Sequence, residues 1–134
     1  MIAKQGEPLK PEELLHFIET DEFVQQWESL GLDEESDLWD LQILIMRNPA
    51  VGNVVAGTDG LRKMRFGRAG HRIGKRGGVR VCYVHFKEHA IVLLVTVYGK
   101  NEKDNLTAME KKCIREYIGR SKVGLDLRKK SRGN

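Results

Sequence analysis

Val79-Arg-Val-Cys-Tyr-Val-His-Phe86, then Lys87-Glu-His89, then Ala90-Ile-Val-Leu-Leu-Val-Thr-Val-Tyr98 is the stretch whose reading decides the fold. Its first part is rich in β-branched and aromatic residues and reads as a strand. The middle three residues make a tight turn. The last part is apolar on both faces, the pattern of a strand covered from both sides, and is expected to be the central strand. A strand covered twice needs layers above and below it, and the flanking sequence must supply them.

Upstream, Leu61 to Phe66 alternates, with Leu61, Lys63 and Arg65 on one face and Arg62, Met64 and Phe66 on the other. One face of this strand is therefore cationic. Further upstream, Asp21 can cap a helix carrying Phe23, Val24, Trp27 and Leu30 at three-and-four spacing, with Gly31 placed to end it. A second helix over Asp33 to Arg47 presents Leu38, Leu41, Leu44 and Ile45, with Trp39, Ile43 and Met46 widening the stripe, and Asn48-Pro49 stops it. The two read as a hairpin covering a sheet. Leu14 to Ile18 reads as a short strand, although a helical turn starting at Pro11 competes. Downstream, Thr107-Ala-Met-Glu110 is a capping box opening a helix with Met109, Cys113, Ile114, Tyr117 and Ile118. The predicted order is β-α-α-β-β-β-α: an α+β fold with a small antiparallel-rich sheet, a helical hairpin on one face and a C-terminal helix. Residues 1–13 are expected to be a loose arm, 14–119 the domain, and 120–134 a basic tail that frays.

The chain has 134 residues, enough for one core. Its longest apolar run, Ala90 to Val95, is far short of the roughly 20 residues of a membrane-spanning helix. The N-terminus lacks a basic-then-apolar signal arrangement, so a soluble cytoplasmic protein without membrane association is expected. Cys82 and Cys113 are too few for a disulfide framework and are expected to be reduced core residues. No His, Cys and acid cluster has metal-ligand spacing, so neither metal nor cofactor is expected.

Charge is unevenly placed. Up to Ala50 three Lys/Arg face twelve Asp/Glu, a net −9, and from Val51 onward twenty face seven, a net +13. Between Leu61 and Arg80 lie Arg62, Lys63, Arg65, Arg68, Arg72, Lys75, Arg76 and Arg80, with one His and no acid. Such a cluster attracts polyanions. The glycines among them let the backbone approach a nucleic-acid strand. A nucleotide-hydrolase phosphate loop is set aside, because Gly70 and Gly74 have three residues between them rather than four and no Ser or Thr follows Lys75.

Three linked motifs now stand in order: Gly57-Thr-Asp-Gly-Leu-Arg-Lys-Met-Arg-Phe66, Gly74-Lys-Arg-Gly-Gly-Val-Arg-Val-Cys-Tyr83, and Val97-Tyr-Gly-Lys-Asn-Glu102 with Asp104-Asn-Leu106. Together with Arg47-Asn-Pro-Ala-Val-Gly52 they resemble HigB-like toxins of the RelE/ParE superfamily, over roughly residues 14 to 119. The resemblance implies the toxin of a bacterial type II toxin–antitoxin system. Such a toxin is a ribosome-dependent mRNA endonuclease that inhibits translation, neutralised by a helix-turn-helix, HigA-like antitoxin. It further implies catalysis by Lys63, Arg65, Arg80 and the Lys100 region, while the Lys/Arg cluster itself gives Arg62, Arg68, Arg72, Lys75 and Arg76 as RNA-binding cations.

The chemistry would be metal-independent attack of a ribose 2′-OH on the adjacent phosphate, which needs a base, cations for the phosphorane and an acid for the leaving oxygen. Lys63 is the candidate base, since Arg62, Arg65 and Arg80 around it disfavour its protonated form. Arg65 and Arg80 are the charge stabilisers, because a guanidinium grips phosphate at two points. Lys100 or Tyr98 serves the leaving group, although Tyr98 also reads as a strand tyrosine half buried under the sheet. Tyr83 reads as core. His71 or His85 would give a rival mechanism, while His16 and His89 read as bystanders. RelE-type toxins stack a tyrosine past the last strand on the substrate base; here Leu106-Thr107 stands there instead. The alternatives are a ParE-like toxin acting on DNA gyrase, which lacks the cationic face, and a non-catalytic RNA-binding regulatory module.

Overall fold

The computed structural model describes residues 7–67, 78–99 and 105–132. Among these residues five strands form one sheet: β1 (His16–Glu19), β2 (Asn53–Val54), β3 (Arg62–Phe66), β4 (Val79–Phe86) and β5 (Ile91–Gly99). Their order is β1-β5-β4-β3-β2, with β1 parallel to β5 and the remaining pairs antiparallel. The helices are α1 (Asp21–Ser29), α2 (Ser36–Arg47) and α3 (Ala108–Arg132). The α+β class, the hairpin and the C-terminal helix are therefore as expected, with the two-residue edge strand β2 in addition. The doubly apolar stretch is interior rather than central: β5 is flanked by β1 and β4, and Val92–Tyr98 are all buried.

The sheet separates two cores. On one face, Phe23 and Trp27 of α1 and Leu41 and Ile45 of α2 pack on Met64, Phe66, Val81, Tyr83, Val92, Leu94 and Val97. Trp27 stacks between Phe23 and Phe66, with ring centroids 5.3 and 5.9 Å away. On the other face, Leu106, Ile114, Ile118 and Leu125 cover Cys82, Val84, Phe86, Leu93, Val95 and Tyr98. Each fully buried aliphatic or aromatic side chain stabilises by roughly 1.5–3 kcal/mol, so both layers are needed to hold the sheet between them.

Local chemistry moves several boundaries. Thr20, not Asp21, caps α1: its Oγ1 accepts from the Phe23 N–H at 3.0 Å, and Asp21 sits in the first turn, where a carboxylate favours the helix dipole. α2 starts at Ser36 because the Asp33 carboxylate accepts from the Glu35 and Ser36 N–H groups at 3.0 and 2.6 Å. Gly31, at φ 75°, ends the first helical segment as expected. The helical turn at Pro11 and the strand it competed with are both present, as a 3-10 turn over residues 11–13 and as β1 from His16, and Arg47 ties the turn down through Glu13 at 3.7 Å and the Glu7 carbonyl. The expected fraying after Gly119 is not seen: α3 continues as helix to Arg132, secured by Leu125 in the second core and by His89 Nε2 at 2.8 Å from Asp126 Oδ1. Cys82 is buried but Cys113 is exposed, because α3 buries the stripe through Ile114, Ile118 and Leu125, one position round from Cys113. Met109, Trp39, Leu44 and Val24 likewise turn outward.

The β4–β5 ladder breaks once. Cys82 is opposite Thr96 but Tyr83 is opposite Leu94, so Val95 is an extra residue, a β-bulge. Alternation alone would set Tyr98 beside Val92 and Leu94, under the hairpin; the bulge transfers it to the α3 face, with Leu93 and Val95. Thr20 holds the bulge, its Oγ1 donating to the Val95 carbonyl at 2.6 Å and its N–H to Leu94 at 3.1 Å, while Thr96 Oγ1 donates to Glu22.

Candidate active face

The antiparallel registers put Arg65 opposite Arg80 and Arg80 opposite Tyr98, so one row crosses β3, β4 and β5. Directly opposed residues share a face with Cβ atoms about 4.5–5.5 Å apart. This is the α3 face, the same one that carries Lys63, two residues before Arg65 and opposite Cys82. Four of the five residues expected to be catalytic are thereby brought together: Lys63, Arg65, Arg80 and Tyr98. Lys100 lies outside the described residues, as do Arg68, Arg72, Lys75, Arg76 and His71.

The row carries two unfavourable features. Two like charges directly opposed, Arg65 and Arg80, destabilise a sheet. Arg80 Nη1 is moreover buried, with no hydrogen-bond partner among the described residues. A buried unpaired donor costs about 1–3 kcal/mol, and a phosphate oxygen is the acceptor that two guanidinium groups side by side would recruit. Tyr98 is 2% exposed, and burial, helped by the neighbouring Cys82 thiol against the opposing pull of Arg80, pushes its hydroxyl up to about 12. At neutral pH the hydroxyl therefore keeps its proton. Lys63 Nζ donates to Asn105 Oδ1 at 3.2 Å.

Other candidates lie elsewhere. Arg62 is on the opposite face of β3, where its Nη1 donates to the Gly52 carbonyl at 2.7 Å. Tyr83 is fully buried there, its hydroxyl donating to Pro49 O at 2.7 Å and accepting from Gly52 N at 3.0 Å, as its core reading required. A Cβ on Gly52 would meet Tyr83 Cε1 at 3.0 Å, which explains the glycine after Pro49. His85, two residues on from Tyr83, shares its face, and burial first, then Lys87 and Arg62, hold its imidazole below the usual histidine range. Neither Arg62 nor His85 joins the row. His89 is engaged by Asp126, and His16 lines a cavity of about 600 Å³ with Ile18, Ile91, Leu125 and Arg128, at the β1 edge and apart from the Arg65, Arg80, Tyr98 row. Asn105 had no role assigned from sequence; its only signal was its place in the Asp104-Asn-Leu106 motif. No group of three or more His, Cys, Asp or Glu that could hold a metal is found among the described residues, nor a helix long and apolar enough to cross a membrane.

Fold and site together define a three-layer α+β protein with an arginine-lined face on the side of the sheet away from its acidic hairpin. No family model matches the chain. Among solved structures it is similar to a mutant of the E. coli toxin RelE in the free state, with a TM-score of 0.47, 15% identity, and coverage of 67% of this chain and 87% of that one. The intact E. coli RelBE toxin–antitoxin complex gives 0.48, 17%, 63% and 95%, and the isolated E. coli RelE toxin 0.49, 14%, 78% and 99%. These likenesses are distant and carry no argument about activity.

Proposed function

We propose that the chain is the toxin of a type II toxin–antitoxin system, a metal-independent endoribonuclease that cuts mRNA on the ribosome and is neutralised by a HigA-like helix-turn-helix antitoxin. The observation that carries this reading is the row Arg65, Arg80, Tyr98 with Lys63 on the same face, a cation at its centre holding a buried N–H unpaired among the described residues. The motif series supports it independently.

Lys63 Nζ takes the proton of a ribose 2′-OH as the oxygen attacks the adjacent phosphorus. Arg65 and Arg80 neutralise the equatorial oxygens of the phosphorane. As the bond to the 5′-oxygen breaks, Tyr98 or Lys100 donates the proton that oxygen needs, leaving a 2′,3′-cyclic phosphate and a 5′-hydroxyl. Arg65 is exposed and Lys63 and Arg80 are partly so, which suits a polymer better than a closed pocket would, and Arg68, Arg72, Lys75 and Arg76 are the further RNA-binding cations of this reading. Primer extension on mRNA from a translation reaction, with and without ribosomes and beside Arg80→Ala, tests the reading. New 5′ ends that need ribosomes and vanish in the variant are expected. Intact mRNA in every lane would leave a gyrase poison or a non-catalytic RNA-binding module.

A further inference from the structure

We infer that Asn105 is a positioning residue for Lys63, fixing its amine on the cationic face through an uncharged acceptor. The inference rests on the ribonuclease reading above.

The contact joins residues 42 apart in sequence, Lys63 Nζ donating to Asn105 Oδ1 at 3.2 Å. A lysine side chain has about four rotatable bonds and gives up roughly 2 kcal/mol of rotamer entropy when fixed, so a proton acceptor built on it needs a partner. Asn105 is itself exposed, but the chain immediately after it is anchored. Leu106 is 7% exposed within the second core, and the Thr107–Glu110 capping box closes with reciprocal bonds of 2.8 and 3.1 Å. The amide therefore stands three residues before α3, directly ahead of this anchored segment.

The chemistry of the acceptor is also specific. A carboxylate at this distance would favour the ammonium form and remove the lone pair that a base needs, whereas an amide oxygen accepts from ammonium and amine alike. Among the described residues, the other groups on the Lys63 side of the sheet ladder are Cys82 opposite it on β4, Asn53 opposite it on β2, Arg65 two positions along, Arg80 on the diagonal, and Tyr98 beyond Arg80. From α3, Glu110 acts on the Tyr98 hydroxyl, and its carboxylate accepts from Thr107 N.

Ribosome-programmed mRNA cleavage is measured from pH 6 to 9.5 for the unsubstituted protein, Asn105→Ala and Asn105→Asp, with ribosome binding recorded in parallel. Asn105→Ala is expected to cut at least about tenfold more slowly at every pH with binding unchanged, a part of the roughly 10²–10⁴-fold that a positioned proton acceptor supplies. Asn105→Asp is expected to move the rising limb of the profile upward by about one pH unit or more, as an opposite charge within 4–6 Å does, and to recover at high pH. Such a displacement with binding intact is not produced by a merely structural role. If the unsubstituted protein cuts and both variants superimpose on it, the inference falls alone. If the unsubstituted protein leaves mRNA intact, the ribonuclease reading falls and takes the inference with it.

Discussion

Arg80 is held in a position that costs the free protein stability. It opposes Arg65 directly across β3 and β4, and its Nη1 is buried unpaired among the described residues. Replacing it by a chain of similar length without the charge should relieve both costs. Arg80→Met is expected to raise unfolding stability by about 1 kcal/mol in a urea titration while abolishing cleavage; a variant that is both inactive and less stable would contradict this. Tyr98 makes the opposite kind of prediction. Its hydroxyl is raised to about 12 in the folded state against about 10 when unfolded, so the folded form holds its proton longer. The stability this confers is complete below pH 10 and is lost as pH rises toward 12, by about 1.4 kcal/mol per pH unit. Tyr83, also raised by burial, acts in the same sense. Denaturation at pH 9 and pH 11 should show the loss, and Tyr98→Phe should reduce it. At this scale the sequence was partly legible. Lys63 and Arg65 could be put on one face because alternation is local, but the rank of Arg80 between Arg65 and Tyr98 depends on pairing across 15 and 18 residues, and the Asn105 contact spans 42.

At the scale of elements, the bulge at Val95 decides which face Tyr98 occupies, and no residue pattern announces it. Strict period two predicts the hairpin face; the extra residue inverts that from Thr96 onward. The tertiary partner that stabilises the bulge, Thr20, lies 75 residues away and caps α1 with the same hydroxyl. Thr20→Ala should therefore cost about 1–2 kcal/mol, at the upper end for a lost cap, and should lower cleavage as well by loosening Tyr98. A stability loss with full activity would show that the bulge and the reaction are independent. Most other elements were readable, because their apolar spacing matches their period. Those that were not share a cause: β2 has two residues, and α3 outlasts its own apolar stripe because Leu125 and the His89–Asp126 pair hold the last turns against the sheet. Such anchors are invisible until the sheet exists.

Across the whole molecule, charge is sorted by layer. The acidic first fifty residues supply the hairpin on one face of the sheet, and the basic remainder supplies β3, β4 and α3 with the cationic row on the other. A body polarised in this way should turn its basic face to RNA before contact. Neutralising the phosphates at Lys63, Arg65 and Arg80 alone should give ribosome or RNA affinity a log–log salt slope of about −2 to −3, measurable between 50 and 200 mM salt. A slope near zero would mean that these cations do not meet phosphate. The measurement that reaches the central claim most directly is end-group analysis of the cut mRNA. Attack by the 2′-hydroxyl under Lys63, Arg65 and Arg80 predicts 2′,3′-cyclic phosphate on the upstream fragment and 5′-hydroxyl on the downstream one. A 3′-hydroxyl with a 5′-phosphate would require a water nucleophile and would contradict the role given to this face.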